Sequence, residues 1–204
     1  MGVFEQLSVS DGAMSQLSVL RALVEKWTPR INLVSKGSVS EIWERHFEDS
    51  AVLCLEPLLS GPHWVDLGAG GGFPGLVVAV ILRDKGFSTK VTLVESDLRK
   101  ATFLREAARQ MNLSVDVVSE RAENLATLQA SVVSARALAP LEGLCVLADR
   151  HLAPGGVCVF PKGARFSEEV DVARKSWLFE LETRENLNHK GSALLLLRNL
   201  RRAE

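Results

Sequence analysis

Between Trp64 and Gly75 the chain reads WVDLGAGGGFPG, a short apolar run closed by Asp66 and followed by five glycines in the eight residues from Gly68 to Gly75. Glycine reaches positive φ and has no Cβ, so a ligand can lie directly against its backbone. A strand that ends in such a turn and opens into a helix builds a floor for an adenosine-containing ligand. Two spacings overlap here. Gly70, Gly72 and Gly75 fit the G-x-G-x-x-G of dinucleotide enzymes, in which a pyrophosphate takes the helix N-terminus. Asp66, Gly68, Gly70 and Gly72 fit instead an acid-x-Gly-x-Gly-x-Gly pattern suited to a ligand with positive charge and no phosphate.

Asp66 favours the second spacing. A carboxylate at 4 Å from a pyrophosphate is repelled by about 1 kcal/mol or more, depending on the local dielectric. S-adenosylmethionine (SAM) carries a sulfonium and an α-ammonium, so an acid at the strand tip can orient the glycine turn and favour the cation. Asp66, Gly68 and Gly70 are therefore candidate cofactor residues. Glu95, twenty residues beyond Gly75, closes a second β-rich run and can accept hydrogen bonds from both ribose hydroxyls. The same carboxylate would also serve a helix N-terminus beside Asp97, and it does not separate SAM from NAD. After a third run, Ala122 and Glu123 can meet an adenine edge through a backbone amide and an acid, although plain helix capping accounts for Glu123 equally well.

A fourth run ends in Ser134-Ala135-Arg136-Ala137-Leu138-Ala139-Pro140, where substrate-facing residues would lie over the cofactor's methyl group. The chain has no Asp/Asn-Pro-Pro-aromatic turn, which suits methylation of an exocyclic base amine, and no evident nucleophilic cysteine, which methylation of pyrimidine carbon 5 requires. Guanine N7 is different. Its lone pair attacks a sulfonium methyl with no proton to remove, so positioning alone can carry catalysis. Arg136 can hold the methionyl carboxylate, guanine O6 or a phosphate, or it can simply make a surface salt bridge. Lys162, in Phe160-Pro161-Lys162-Gly163, closes a fifth run at the same sheet edge and can meet a phosphate. Arg136 and Lys162 are the candidate catalytic residues, both in positioning roles. His46 and Trp27 read as structural.

These residues need elements to hold them. Leu17, Leu20, Leu23, Val24 and Trp27 recur at helical spacing from Asp11, a candidate N-cap, until Pro29 and the stretch from Asn32 to Ser40 interrupt. A second helical segment runs from about Ser40 to Leu59. After Gly61-Pro62 short β-rich runs alternate with longer helical ones, the signature of a parallel sheet. Strands are expected near His63 to Leu67, Lys90 to Glu95, Val115 to Ser119, Ser131 to Ala135, Gly156 to Pro161, Trp177 to Leu181 and Ala193 to Leu197. Helices are expected near Phe73 to Leu82, Leu98 to Asn112, Ala122 to Leu128, Leu141 to Leu152 and Ser167 to Lys175. No long helix separates the last two strands, which should pair as an antiparallel ribbon. The division expected is a helical extension over residues 1–60 and a Rossmann-like SAM-binding domain over 61–204.

At 204 residues, with 47% hydrophobic and 24% charged side chains, one principal domain is expected. No apolar run approaches the roughly 20 residues needed to cross a bilayer, and Met1 to Ser10 has no cationic, hydrophobic leader. A cytoplasmic protein is expected. Cys54, Cys145 and Cys158 are widely spaced in apolar surroundings, which suits buried thiols rather than a disulfide framework or a zinc site. No metal is expected. A net charge of -1 gives no global attraction to nucleic acid, so any RNA must be held by a local patch. Basic residues gather at Lys26, Arg30 and Lys36, at Arg99, Lys100, Arg105 and Arg109, and in a tail of Arg198, Arg201 and Arg202.

Taken together, Lys26-Trp27 with Asn32-Leu33, Arg45-His46 with Asp49-Ser50, Asp66 through Gly75 with its Phe73-Pro74-Gly75 ending, Arg136-Ala137 and Lys162-Gly163 resemble the bacterial 16S rRNA (guanine-527-N7) methyltransferase family, also called glucose-inhibited division protein B. The resemblance runs from about Leu23 to Lys162. It implies a class I SAM-dependent methyltransferase: α/β, Rossmann-like, a mostly parallel seven-stranded sheet with a helical N-terminal extension. It also implies methylation of a guanine in the decoding region of 16S rRNA, with the rRNA or the small ribosomal subunit as partner. Matched by position, its cofactor contacts fall on Gly68, Phe73, Ala122, Glu123 and Arg136. Thr28 stands where the family often has asparagine, and Leu138 where phenylalanine often follows the Arg-Ala pair. The expected oligomeric state is a monomer. Three other readings follow from the residues alone: an NAD-linked reductase, which the absence of any tyrosine disfavours; a non-catalytic RNA-binding module; and a small-molecule methyltransferase.

Overall fold

The computed structural model describes residues 2–35, 37, 40–55, 61–185 and 191–203, with the backbone alone of Glu185. The chain opens with a single helical turn, α1 (Val3–Gln6), and the long helix α2 (Asp11–Ile31). Ser10 rather than Asp11 is the N-cap, its Oγ accepting the Ala13 N–H at 3.2 Å. Pro29 does not break α2. It sits in the last turn, where its fixed φ is helical and only one ladder bond is forgone, and the helix ends at Asn32 in the left-handed region. The second helical segment is irregular. A π-helical stretch, Trp43–Glu48, continues through α3 (Asp49–Ala51) into a 3-10 turn, Val52–Leu55. The rest of the expected helix, through Leu59, lies outside the described residues.

The second half alternates as the pattern requires: β1 (His63–Leu67), α4 (Gly75–Asp84), β2 (Lys90–Val94), α5 (Leu98–Gln110), β3 (Asp116–Val118), β4 (Ala130–Ala135), α6 (Leu141–His151), β5 (Leu152–Lys162), α7 (Phe166–Ala173), β6 (Trp177–Glu185) and β7 (Ala193–Arg202). The strands form one sheet in the order β3-β2-β1-β4-β5-β7-β6. The first five run parallel, and β7 lies antiparallel between β5 and β6, the ribbon expected at the sheet's end. The order reverses between β1 and β4, so the loops after these strands open onto a crevice at their carboxyl ends.

Alternation along each strand divides the core in two. Trp64, Val132, Val159 and Leu196 face one layer with α2, α4 and α5; Val65, Val133, Phe160 and Leu197 face the other with α6 and α7. Leu17, Leu20 and Val24 of α2 are buried in the first layer, and Trp27 meets Phe103 of α5 edge-on at 5.7 Å. The N-terminal helices thus share a core with the sheet. Cys54, Cys145 and Cys158 are buried and unpaired with one another, and burial pushes the Cys145 thiol up to about 12.

The expected helix from Ala122 to Leu128 does not form; only a 3-10 turn, Ala122–Asn124, is present. Three carbonyls of the segment are bonded from outside it. His151 Nε2–H donates to Ala122 O at 2.9 Å, Arg150 Nε to Leu125 O at 2.8 Å, and the His63 ring meets Leu128 O at 3.1 Å.

Candidate active site

β1 ends in the glycine turn, and two of its amides, Gly68 N–H and Ala69 N–H, converge on Val94 O of β2 at 2.8 and 3.0 Å. Gly68, Gly70 and Gly72 take φ of +69°, +52° and +88°, values that a side chain disfavours. Asp66 lies beneath the turn, completely buried. Its Oδ2 accepts the Gly75 N–H at 2.9 Å and its Oδ1 accepts Ser134 Oγ–H at 2.7 Å, while Ser134 Oγ accepts Trp64 Nε1–H at 2.8 Å. Burial pushes the Asp66 carboxyl up to about 7, against the pull of Ser134, Gly75 and the Arg136 charge. This network anchors the glycine turn from below, tying the start of α4 to β1 and β4 on the face away from the cleft.

Glu95 follows β2 and is buried against the same turn, with Oε2 on the Gly70 N–H at 2.9 Å and Oε1 on the Asp97 N–H at 2.8 Å. Each carboxylate oxygen retains a lone pair for a further donor. Ala122 is buried beyond the neighbouring strand β3 and Glu123 beside it is exposed.

Arg136, at the end of β4, reaches across to the π-helical stretch. Its Nη1 donates to Arg45 O at 3.0 Å, its Nη2 meets His46 Nδ1 at 2.6 Å, and its Cζ lies 5.4 Å from the centre of the Phe73 ring. Phe73 in turn packs against His46 at 5.1 Å and Phe47 at 5.0 Å. Burial pulls the guanidinium's pKa down while Asp49 and Asp66 push it up. Arg136 stays charged in any case, with three of its five N–H donors beyond these two contacts. Lys162 makes internal contacts at the same sheet edge. Its side chain is 9% exposed, and its Nζ sits 2.6 Å from Glu169 Oε2 and 3.0 Å from Ala139 O. Glu169 also accepts the Leu141 N–H at 2.7 Å, so Lys162 ties the loop after β4 to α7.

The cleft above these residues has a volume of about 1020 Å³. Gly68, Gly70, Phe73, Arg136 and Lys162 line it; Asp66 and Glu95 lie behind the turn, and Ala122 and Glu123 stand apart along the strand edge. One wall was not assigned by reasoning from residue types. Leu33, Val34, Arg45, His46 and Asp49 come from the N-terminal segment. The sequence signal for Leu33, Arg45, His46 and Asp49 was the Asn32-Leu33, Arg45-His46 and Asp49-Ser50 part of the family resemblance. Among the described residues no group of three or more His, Cys, Asp or Glu side chains is placed to hold a metal ion, and no helix is long and apolar enough to cross a membrane.

A reversed parallel sheet with an antiparallel last ribbon, an acid-anchored glycine turn and an acid after β2 define a class I SAM-dependent methyltransferase. Solved structures share the fold. The chain superposes on an O-methyltransferase from Bacillus cereus in complex with SAH with a TM-score of 0.61 at 14% identity, covering 97% of this chain and 95% of the other. Fibrillarin, a pre-rRNA processing protein of Methanococcus jannaschii, gives 0.55 at 16% identity over 70% and 68%. The chain belongs to the GidB family, rRNA small subunit methyltransferase G, which it matches over residues 13–198. The ribosomal RNA small subunit methyltransferase G of Cereibacter sphaeroides is 48% identical over 199 residues, covering 97% of this chain and 96% of that protein. The protein of the same name from Ruegeria sp. is 43% identical over 197 residues, 97% and 96% of the two chains.

Proposed function

We propose that this enzyme transfers a methyl group from SAM to N7 of a guanine in the decoding region of 16S rRNA, by direct in-line displacement and as a cytoplasmic monomer. The observation that carries the reading is Arg136, a guanidinium fixed on two sides at the cleft wall, with donors left for an acceptor-rich ligand. The cleft fits SAM: a Cβ on Gly70 would meet nothing nearer than Gly68 O at 3.7 Å, so only the glycine leaves that space to a ligand. SAM supplies a methyl group on a sulfonium, whose departing electron pair stays with sulfur as the base nitrogen takes the methyl.

The protein's residues position and exclude. Glu95 accepts ribose hydroxyls, Gly68 and Gly70 present bare backbone, and Phe73 covers the turn with its ring. Ala122 and Glu123 meet the adenine edge further along the strand ends. Asp66 acts from below, holding the turn against α4. Arg136 directs its remaining donors at guanine O6 or the methionyl carboxylate, and Lys162 keeps the Ala139 to Leu141 loop in place. No proton need leave guanine N7, so a well-aimed arginine suffices where an amine substrate would need more. Residues 1–60 serve as an extension that completes the cleft, and Arg45 and Lys100 on its walls offer the local positive charge that the net charge of -1 lacks.

The test is transfer of labelled methyl from SAM to unmodified small-subunit rRNA and to small subunits, followed by borohydride and aniline, which cleave at N7-methylguanosine. One cleavage in the decoding region is expected. Label without cleavage rejects N7, and no label on either substrate rejects the rRNA reading in favour of a binding module or a small-molecule enzyme.

A further inference from the structure

His46 and Arg136 are separated by 90 residues, yet their side chains meet in the cleft, Arg136 Nη2 to His46 Nδ1 at 2.6 Å. An arginine has donors only, so the contact is a hydrogen bond when Nδ1 bears no proton and the ring is the Nε2–H tautomer. The second hold on the same guanidinium, Nη1 to Arg45 O at 3.0 Å, comes from the adjacent residue of the π-helical stretch. Two acceptors on one helical turn thus hold the two terminal nitrogens, and Phe73 backs both the guanidinium and the imidazole. A free arginine samples many rotamers, and a misplacement of about 1 Å at a reacting centre can cost on the order of a hundredfold in rate. π-turns inside helices are found disproportionately at such sites.

We propose that His46 is a positioning residue for methyl transfer, its Nδ1 setting the plane and reach of the Arg136 guanidinium. The proposal rests on the rRNA methyltransferase reading above. It makes the N-terminal segment part of the catalytic apparatus, because the acceptors that aim Arg136 belong to that segment.

Three variants separate aiming from packing. His46→Asn places an amide oxygen two bonds from Cβ, where Nδ1 stands, and so keeps the acceptor while losing the ring. His46→Phe keeps a ring against Phe73 and has no acceptor; His46→Leu is a second variant without one. Each is assayed for methyl transfer at saturating SAM and rRNA, for SAM affinity by calorimetry and for thermal unfolding. With folding retained, the expected turnover is within about threefold of wild type for Asn and lower by about tenfold or more for Phe and Leu, as for a group acting through geometry. Phe at or above Asn, or equal losses in all three, overturns the proposal, since packing would then be the role of the ring. A loss confined to KM, with turnover at saturation unchanged in Phe and Leu, also overturns it. Wild-type protein that fails to label rRNA overturns the function reading itself; an active wild type with the wrong order of variants overturns this inference alone.

Discussion

The Asp66 network makes a prediction about stability whose sign depends on pH. Its carboxyl is completely buried and pushed up to about 7, chiefly by that burial. In the unfolded chain an aspartate titrates near ~3.9. An acid that holds its proton more tightly when folded contributes stability that is whole below about pH 4 and is lost as pH rises through about 7. Between pH 5 and pH 8 this group alone should therefore cost the wild type about 2.5 kcal/mol. Asp66→Asn cannot ionise and keeps an oxygen for the Gly75 N–H, so its unfolding free energy lacks that slope. Exchanging an acceptor for a donor opposite Ser134 Oγ shifts the variant's curve by an offset that does not tilt it. Urea unfolding of both proteins at pH 5, 6, 7 and 8, taken as a difference, cancels every other titrating group. The variant should gain about 2.5 kcal/mol on the wild type across that range. A difference constant to within about 0.5 kcal/mol, or one moving the other way, would refute the assignment of a buried, proton-retaining carboxyl.

The glycines of the turn should separate by function. In Gly75→Ala the new methyl runs into Leu93 Cδ2 and stands 2.7 Å from Asp66 Oδ2, so urea unfolding should show a loss of about 1–3 kcal/mol. Gly70→Ala meets no clash but holds a side chain at φ +52°, so urea unfolding should show a loss of about 1–2 kcal/mol, while calorimetry records SAM binding weakened by about tenfold, roughly 1.4 kcal/mol; unchanged affinity would remove Gly70 from the cofactor floor. Lys162→Met strands Glu169 beside the Leu141 amide and should destabilise by about 2 kcal/mol, part of which Glu169→Gln in the same chain should return. A double variant no better than the single one argues that the pair is idle. Arg136→Ala should keep the fold and lower methyl transfer by about a hundredfold or more; an unchanged rate removes Arg136 from the reaction.

The β-strand and helix alternation after Gly61 was legible because it is written in local periodicity, and β1 from His63 to Leu67 was located to the residue. Boundaries failed where partners distant in sequence decided them. The segment after Ala122 has a helical pattern, but His151, Arg150 and His63 take its carbonyls. Pro29 looked like a break and proved to be a last-turn residue, a distinction that depends on where the helix stops rather than on proline itself.

For the site, the chain by itself determined that a glycine turn with an acid before it and another acid after the next strand would offer a floor to an adenosyl ligand. Backbone freedom and charge at fixed spacing belong to neighbouring residues, so no fold need be known to see them. Tertiary structure decided what Asp66 does, because only there is it buried beneath the turn and bonded to Gly75 and Ser134. It also decided what the arginine and the lysine touch. Arg136 bonds to two residues of the N-terminal segment, and Lys162 pairs with Glu169, contacts whose partners lie 91, 90 and seven residues away. A hydrogen bond reads distance in space, and distance in space is what a linear pattern does not contain.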